Sequence, residues 1–477
     1  MRFSEKMVTL ASLMSTFMVV ASAQQYFQDL GYARKPHAVK LNPSLTKRET
    51  APAFGVLQDE WSAEVANASP RRFEKSTAVD ELCKKDVHNV ESAADMMQIL
   101  QKCKHVDGSI HVLEYSDPII DLGSLQSIGG DLILQDLPMV VRLQGPNLAN
   151  IGGELKLHSL TSLVGVSLPH LQHFDALDWR VVPTLTSVEL APNVSSAKRI
   201  IISDTSLTAL EGFEFIEELE VFNINNNRYM ETVKSNLKRV HEQLSVSANF
   251  KEIQVEFPHL IWAKNLTVRD VSSISLDSLQ YVNQSLEVIE NYFETFSVPE
   301  LKSVGGTLGV IENPKLHSVD FANLTNIHGG FMLANNSLIS QINFLPELRE
   351  IGGAIQFMGA FQNIECPKLR LVRGSALIQS TSSALDCSKW TSAANGNSII
   401  RGGRIICTSG KRQNSVRVHE DGSLFDHHES EQAAEETKKT KEANMSSFSA
   451  DTSKLSVFAW SLGLGWIIAL LFIATSQ

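Results

Sequence analysis

The sequence predicts a mainly β fold: a right-handed β-solenoid of about thirteen rungs of 22–23 residues with an N-terminal helical cap. Three observations predict it. The first is a recurring Gly-Gly corner behind an apolar residue, at Ile128-Gly129-Gly130, Ile151-Gly152-Gly153, Val304-Gly305-Gly306, Ile327-His328-Gly329-Gly330 and Ile351-Gly352-Gly353. Each corner leads into a short alternating strand such as Leu132-Ile133-Leu134 or Leu155-Lys156-Leu157. Glycine suits such a corner because a side chain would block positive φ and tight backbone approach. The second is a register of inward residues: Ile110, Leu132, Leu155, Leu177, Ile200, Leu219, Leu244, Leu266, Leu286, Leu308, Phe331, Ile355 and Leu377. Its steps run from 19 to 25 residues, most of them 22 or 23. The third is a set of prolines in phase with the corners, Pro146, Pro169, Pro299, Pro346 and Pro367. Self-similarity at this period is the signature of a solenoid.

The chain opens with a targeting segment. Arg2 and Lys6 flank an apolar run over 7–20, followed by Ala21-Ser22-Ala23. That pattern predicts a signal peptide over 1–23, removed after Ala23. Residues 24–80 lack the repeat and carry scattered prolines and charges, which predicts a disordered leader or propeptide. Lys47-Arg48 within it fits a dibasic processing site.

A helical pattern follows. Ser92 and Asp95 can cap a helix start, and Met96, Ile99, Leu100 and Cys103 share one face. A helix just before the first rung would cover the open end of the solenoid, where apolar core and unpaired strand edges are otherwise exposed. In a secreted chain cysteines are expected in structural disulfides. Cys83 and Cys103 bracket this cap, and Cys387 and Cys407 bracket the last segment at the same separation, so the expected pairs are Cys83–Cys103 and Cys387–Cys407. Cys366 remains over as a buried thiol. The solenoid domain is thereby placed at 81–407.

Past Cys407 the composition turns polar and charged, and residues 408–444 read as a stalk. Asp426-His427-His428-Glu429 contains metal-ligand residue types, but no second cluster completes a site. Residues 455–474 are apolar and uncharged, with no basic anchor after them. Small residues, a polar spacer and a terminal hydrophobic tail fit a GPI-attachment signal over 445–477, with Asn444 as the attachment residue and Ser446, Ser447 and Ser449 as alternatives.

Secretion gives meaning to the Asn-x-Ser/Thr sequons at Asn67, Asn193, Asn265, Asn283, Asn323 and Asn335. None falls between Asn67 and Asn193. The first rungs, over 110–179, are therefore expected to present unshielded surface, with His111, Lys156, His158 and Trp179 as outward residues suited to stacking on sugars or bonding their hydroxyls. A glycosylated chain of net charge −11 is a poor nucleic-acid ligand. The sequence has no Gly-x-Ser-x-Gly elbow, His-Glu-x-x-His helix or phosphate-cradling loop. Asp136, Asp204, Asn223, Asp270, Asn291, Asn313 and Asn335 recur four or five residues past the register. Mixed Asn and Asp at a turn is what a structural ladder tolerates and what acid–base catalysis would not.

The Cys83-to-Cys103 cap, the Ile-Gly-Gly-x-Leu-x-Leu rungs and the terminal anchor signal resemble the fungal family of GPI-anchored wall proteins with receptor-L-domain-like repeats, over about residues 80–412. Further stretches are similar to its sporulation-specific, ascospore-wall branch: Asp178-Trp179-Arg180, Ile200-Ile201-Ile202-Ser203-Asp204-Thr205, Phe222-Asn223-Ile224-Asn225-Asn226-Asn227-Arg228, and Ser398-Ile399-Ile400-Arg401-Gly402-Gly403. The resemblance implies a leucine-rich-repeat-like solenoid without catalytic residues or cofactor. It also implies a glycoprotein on the outer leaflet of the plasma membrane or in the spore wall, organising glucan layers with wall polysaccharide or wall-assembly proteins as partners. A ligand-binding receptor ectodomain is the alternative, and a polysaccharide-active enzyme comes third. Phosphatidylinositol-specific phospholipase should release the protein from intact membranes, and recovery of the 455–477 peptide from mature protein would overturn the anchor.

Overall fold

Strand residues point alternately to opposite sides, so an alternating apolar strand buries one side and leaves the other outward. In a computed structural model of the chain, residues 80–210, 213–392 and 398–424 are described. The signal peptide, the leader with Asn67, the lipid-attachment segment with Asn444 and the stalk beyond 424 lie outside them. The described chain forms two compact units, one reaching to residue 263 and including 268–276, the other comprising 264–267 and 277 onward.

In the first unit one strand from each turn enters a parallel sheet. His88, Ile110, Leu132, Leu155, Leu177, Ile200, Phe222 and Leu244 are successive partners, the register expected from the sequence with two changes. Phe222, not Leu219, is the register residue of its rung, so the irregular 19- and 25-residue steps become 22 and 22. The register also begins one strand early, at His88 in Val87–Val90. Two residues on, Val90, Val112, Leu134, Leu157, Trp179, Ile202, Ile224 and Val246 make a second buried column. Shorter parallel sheets close the other side, one of them from Ile119–Asp121, Arg142–Gln144, Gly165–Leu168 and Ser187–Leu190. Burying each Leu or Ile side chain is worth about 1.5–3 kcal/mol.

The second unit repeats the plan. Leu286, Leu308, Phe331, Ile355, Ala376 and Ile405 are successive partners, with Val288, Val310, Leu333, Phe357, Ile378 and Cys407 as the second inward column. Leu266 joins through its N–H to Ser285 O at 3.0 Å. Leu377, expected inward, pairs with outward Gln356; Ala376 holds the inward place. The unit does not stop at Cys407. Arg404–Ser409 and Arg412–Arg417 form an antiparallel hairpin, so residues 408–424, assigned from composition to the stalk, belong to the fold. Polar composition misled there because this last strand is exposed.

The helix expected near Ser92 spans Ala93–Lys102, with the Ser92 hydroxyl accepting from the Asp95 N–H and donating to its carboxylate at 2.7 Å. It lies after the Val87–Val90 strand rather than before the first rung. Met96 and Ile99 are buried, and Cys103 behind them is bonded to Cys83. The Cys387–Cys407 disulfide is also present, flanked by buried Trp390 against Phe357. Cys366 is free and half-buried, and loss of water around its sulfur pushes the thiol up to about 12. Among the described residues no helix is long and apolar enough to cross a membrane.

Two features of the corners explain the repeat. At the Gly-Gly corner a Cβ on Gly152 would lie 2.1 Å from Gly129 O, and one on Gly305 would lie 2.0 Å from Asn283 O. Close approach of the preceding turn therefore demands these glycines, not positive φ. Positive φ occurs at the opposite corner, four residues past the register in each turn from Ile110 to Phe331. Glu114, Asp136, Ser159, Val181, Asp204, Asn226, Ala248 and Asp270 adopt it in the first unit, and Glu290, Glu312 and Asn335 in the second, all with φ between 50° and 58°.

The next residue turns inward. It is apolar at Leu137, Leu160 and Val182, then becomes a buried amide ladder. Asn227 Oδ1 accepts from Thr205 N–H and Oγ1–H, while Asn249 Oδ1 accepts from Asn227 N–H at 3.0 Å. In the second unit Asn313 Oδ1 accepts from Asn291 N–H, and Asn336 Oδ1 accepts from Asn313 N–H, both at 2.9 Å. The Asn313 amide nitrogen donates back to Val288 O and Ile311 O. Asn223, expected at this corner, is instead one residue past Phe222 and faces outward on the sheet.

Two outcomes are expected. Asn313→Ala leaves several buried polar groups unpaired at about 1–3 kcal/mol each, and should cost about 3 kcal/mol or more in equilibrium unfolding. Asn335→Ala, at the exposed neighbour, serves as the comparison, and equal losses would refute the ladder's role. His88 is the second case. It occupies an inward position, its Nε2 has no hydrogen-bond partner, and burial together with nearby Lys85 lowers its pKa. An unfolded His titrates near about 6.5, so acidification below that value adds protons to the unfolded chain first and removes stability until the lowered folded pKa is passed. Amide protection across Val87–Val90 should fall in that range and not in His88→Leu, a difference that hydrogen exchange at two pH values would measure.

Candidate binding face

The outward side of the first unit's main sheet follows from the same alternation. One column one residue past the register reads Asn89, His111, Ile133, Lys156, Asp178, Ile201, Asn223 and Ser245. A second column, two residues further on, reads Gln135, His158, Arg180, Ser203, Asn225 and Ser247. Parallel strands about 4.8 Å apart thus place one hydrogen-bonding side chain after another along a line, with Ile133 and Ile201 as apolar breaks.

Three of the four residues predicted for a contact face lie here: His111, Lys156 and His158, all half-exposed. Trp179 does not. It is 1 % exposed, in the inward column between Leu157 and Ile202, and its indole N–H has no hydrogen-bond partner. The reason is parity: Leu177 and Trp179 are two residues apart and must share a side.

Asp178 and Arg180, on either side of that tryptophan, take the outward places and were missed as site residues. Arg180 Nε donates to Asp178 Oδ1 at 2.6 Å, and His158 Nε2 lies 3.2 Å from Oδ2 without hydrogen-bonding orientation. Lys156 is the strand neighbour of Asp178. Asp178 itself is 8 % exposed, a carboxylate packed among cations. Beyond it Asn225 Nδ2 donates to Asn223 Oδ1 at 2.9 Å. Next to the cluster Val181 is exposed and left-handed at φ 55°, a conformation that a β-branched residue adopts only under constraint.

Chemically the face offers amide, imidazole, hydroxyl and ammonium groups, with Asp178 the single carboxylate in the two columns. Glycoside hydrolysis by acid–base pairs needs two. The sequons at Asn193, Asn283, Asn323 and Asn335 are exposed and Asn265 is half-exposed. Asn193 follows Pro192 in a turn, Asn283 sits at a Gly-Gly-type corner, and Asn335 takes the left-handed place. None interrupts the two outward columns of the first unit.

The chain is 43 % identical to sporulation-specific protein 22 of Saccharomyces cerevisiae over 398 residues, 82 % of this chain and 83 % of that protein. It is 43 % identical to sporulation-specific protein 2 of the same yeast over 352 residues, 74 % of this chain and 70 % of the relative. A cell surface GPI-anchored protein of Arthroderma benhamiae is 31 % identical over 335 residues, 70 % of this chain and 84 % of that protein. No family model matches the chain. No solved structure matches it either.

Proposed function

The chain belongs to the fungal family of sporulation-specific and GPI-anchored cell-surface proteins, and from that premise we propose that it is a non-enzymatic surface glycoprotein of spore-wall assembly. Its work is to hold wall polymer against the cell surface while the wall is laid down. The three relatives carry the names of sporulation and cell-surface proteins, and none of the three is named as an enzyme. The lipid anchor at Asn444 and the glycans at Asn193, Asn265, Asn283, Asn323 and Asn335 complete the proposal. They place the solenoid outside the membrane with its first unit least shielded.

The observation that carries the finer reading is the double outward column of the first unit. A polysaccharide chain presents hydroxyls at intervals close to one hexose length, and a row of polar side chains at strand spacing can meet successive sugars. Glucan is the polymer we assign to it. Asp178, held by Arg180, accepts from sugar hydroxyls; Lys156, His111 and the Asn223–Asn225 pair donate and accept along the row. Affinity from such a row is distributed, each neutral bond adding about 0.5–1.5 kcal/mol.

The full-length protein in detergent should be retained on insoluble β-glucan. Lys156→Ala, Asp178→Asn and Asn223→Ala combined should weaken retention about tenfold or more, by the same bond energies, without loss of cooperative unfolding. Arg142→Ala, on another sheet, serves as the control. Retention unchanged in the triple variant would sink this face as the glucan site, and reducing ends released from glucan would sink the non-enzymatic reading.

A further inference from the structure

The last hairpin stands out in a protein of net charge −11. Residues 398–424 hold five cations, Arg401, Arg404, Lys411, Arg412 and Arg417, against two carboxylates, Glu420 and Asp421. Arg404 and Arg417 are directly opposed across the two strands. Like charges in that relation repel. Among the described residues Arg404, Lys411, Arg412 and Arg417 make no ion pair, and all four are exposed. Among the described residues Arg412–Arg417 pairs only with Arg404–Ser409, and its other edge has no strand beside it beyond the single Val418–Leu424 bridge. An open edge beside an uncompensated cluster of cations is a surface prepared for an extended anionic partner.

The chain supplies such a partner within a few residues. Positions 426–436 carry Asp426, Glu429, Glu431, Glu435 and Glu436 and no Lys or Arg, a charge of −5 that begins two residues past Leu424. We propose that this acidic run docks along the open edge of the Arg412–Arg417 strand and neutralises the hairpin. Attachment at so short a distance gives the run an effective concentration in the millimolar range, ahead of any partner in solution. A second copy of the same edge is disfavoured, because it would bring Arg412 and Arg417 against their own kind. The hairpin is distant in function from the glucan face, and the two proposals fail separately.

Hydrogen exchange on the full-length protein in neutral detergent tests this. Backbone amides of Arg412–Arg417 should be protected in the natural chain. They should exchange about tenfold faster in the variant E429Q/E431Q/E435Q/E436Q, as a locally opened edge does. Reversing both sides, R412E/R417E with the four glutamates changed to Lys, should restore protection, which a mere folding defect would not allow. Unchanged exchange in the Gln variant overturns the proposal. So does protection that appears only in bilayers containing anionic lipid, which would assign the cations to a lipid surface. Protection that rises with protein concentration would assign the edge to a second copy and overturn it equally.

Discussion

Each turn must bring its backbone back to within one strand spacing of the turn before, and the rest of the structure depends on how the corners meet that demand. A corner that approaches so closely has no room for side chains on one side, hence the glycines whose Cβ would fall about 2 Å from a carbonyl of the previous turn. At the other corner the chain reverses through a single left-handed residue, and the residue after it is driven into the core. Once there, its backbone N–H needs a partner that no strand ladder provides. Asparagine solves this because one carbonyl and one NH₂ reach both the turn above and the backbone below. The ladders Thr205–Asn227–Asn249 and Asn291–Asn313–Asn336 are that solution repeated. The outer columns of each unit inherit their alignment from the same stacking.

Those outer columns differ in chemistry between the units. In the first they are polar and include Lys156, Asp178, Arg180, Asn223 and Asn225. In the second they are more apolar, with Ile289, Ile311, Met332, Met358, Leu377 and Ile406 alongside Gln356, Gln379 and Thr408. The one carboxylate in these columns is Glu287, opposite Gly309, and burial raises its pKa. A repeat conserves the inward residues because each must fit the one above. Outward residues are free of that constraint, so function can be written there turn by turn.

The same asymmetry decides what was legible in the sequence. Corners, strands and most of the register could be read directly, since glycine and inward apolar residues carry the period. Leu219 displaced Phe222 because both are buried and only pairing distinguishes them. Leu377 displaced Ala376 for a related reason: alanine is a weak apolar marker, yet only a small residue stands there. Trp179 was drawn outward by its chemistry although Leu177 already fixed its side, and Asp178 and Arg180 were overlooked by the same slip. The disulfides followed from equal separations within the two end segments. His88 gave no signal, since histidine in an inward column runs against its polarity.

The two ends of the solenoid are closed by unlike means, and the difference follows from strand direction. At the start, the Ala93–Lys102 helix and the Cys83–Cys103 link lie next to the Val87–Val90 strand, with Met96 and Ile99 buried. At the finish the chain turns back on itself through Gly410, and an antiparallel strand replaces the next parallel one. A reversed strand ends the repeat because its successor cannot re-enter the same helical path without a crossover. It cannot, however, abolish its own outer edge, which moves one strand further out. Charged side chains blunt such an edge by making self-pairing costly, and here the blunting is nearly all of one sign. An edge guarded almost wholly by cations repels its copy and attracts an acidic strand, so the device that prevents aggregation also selects what lies beside it.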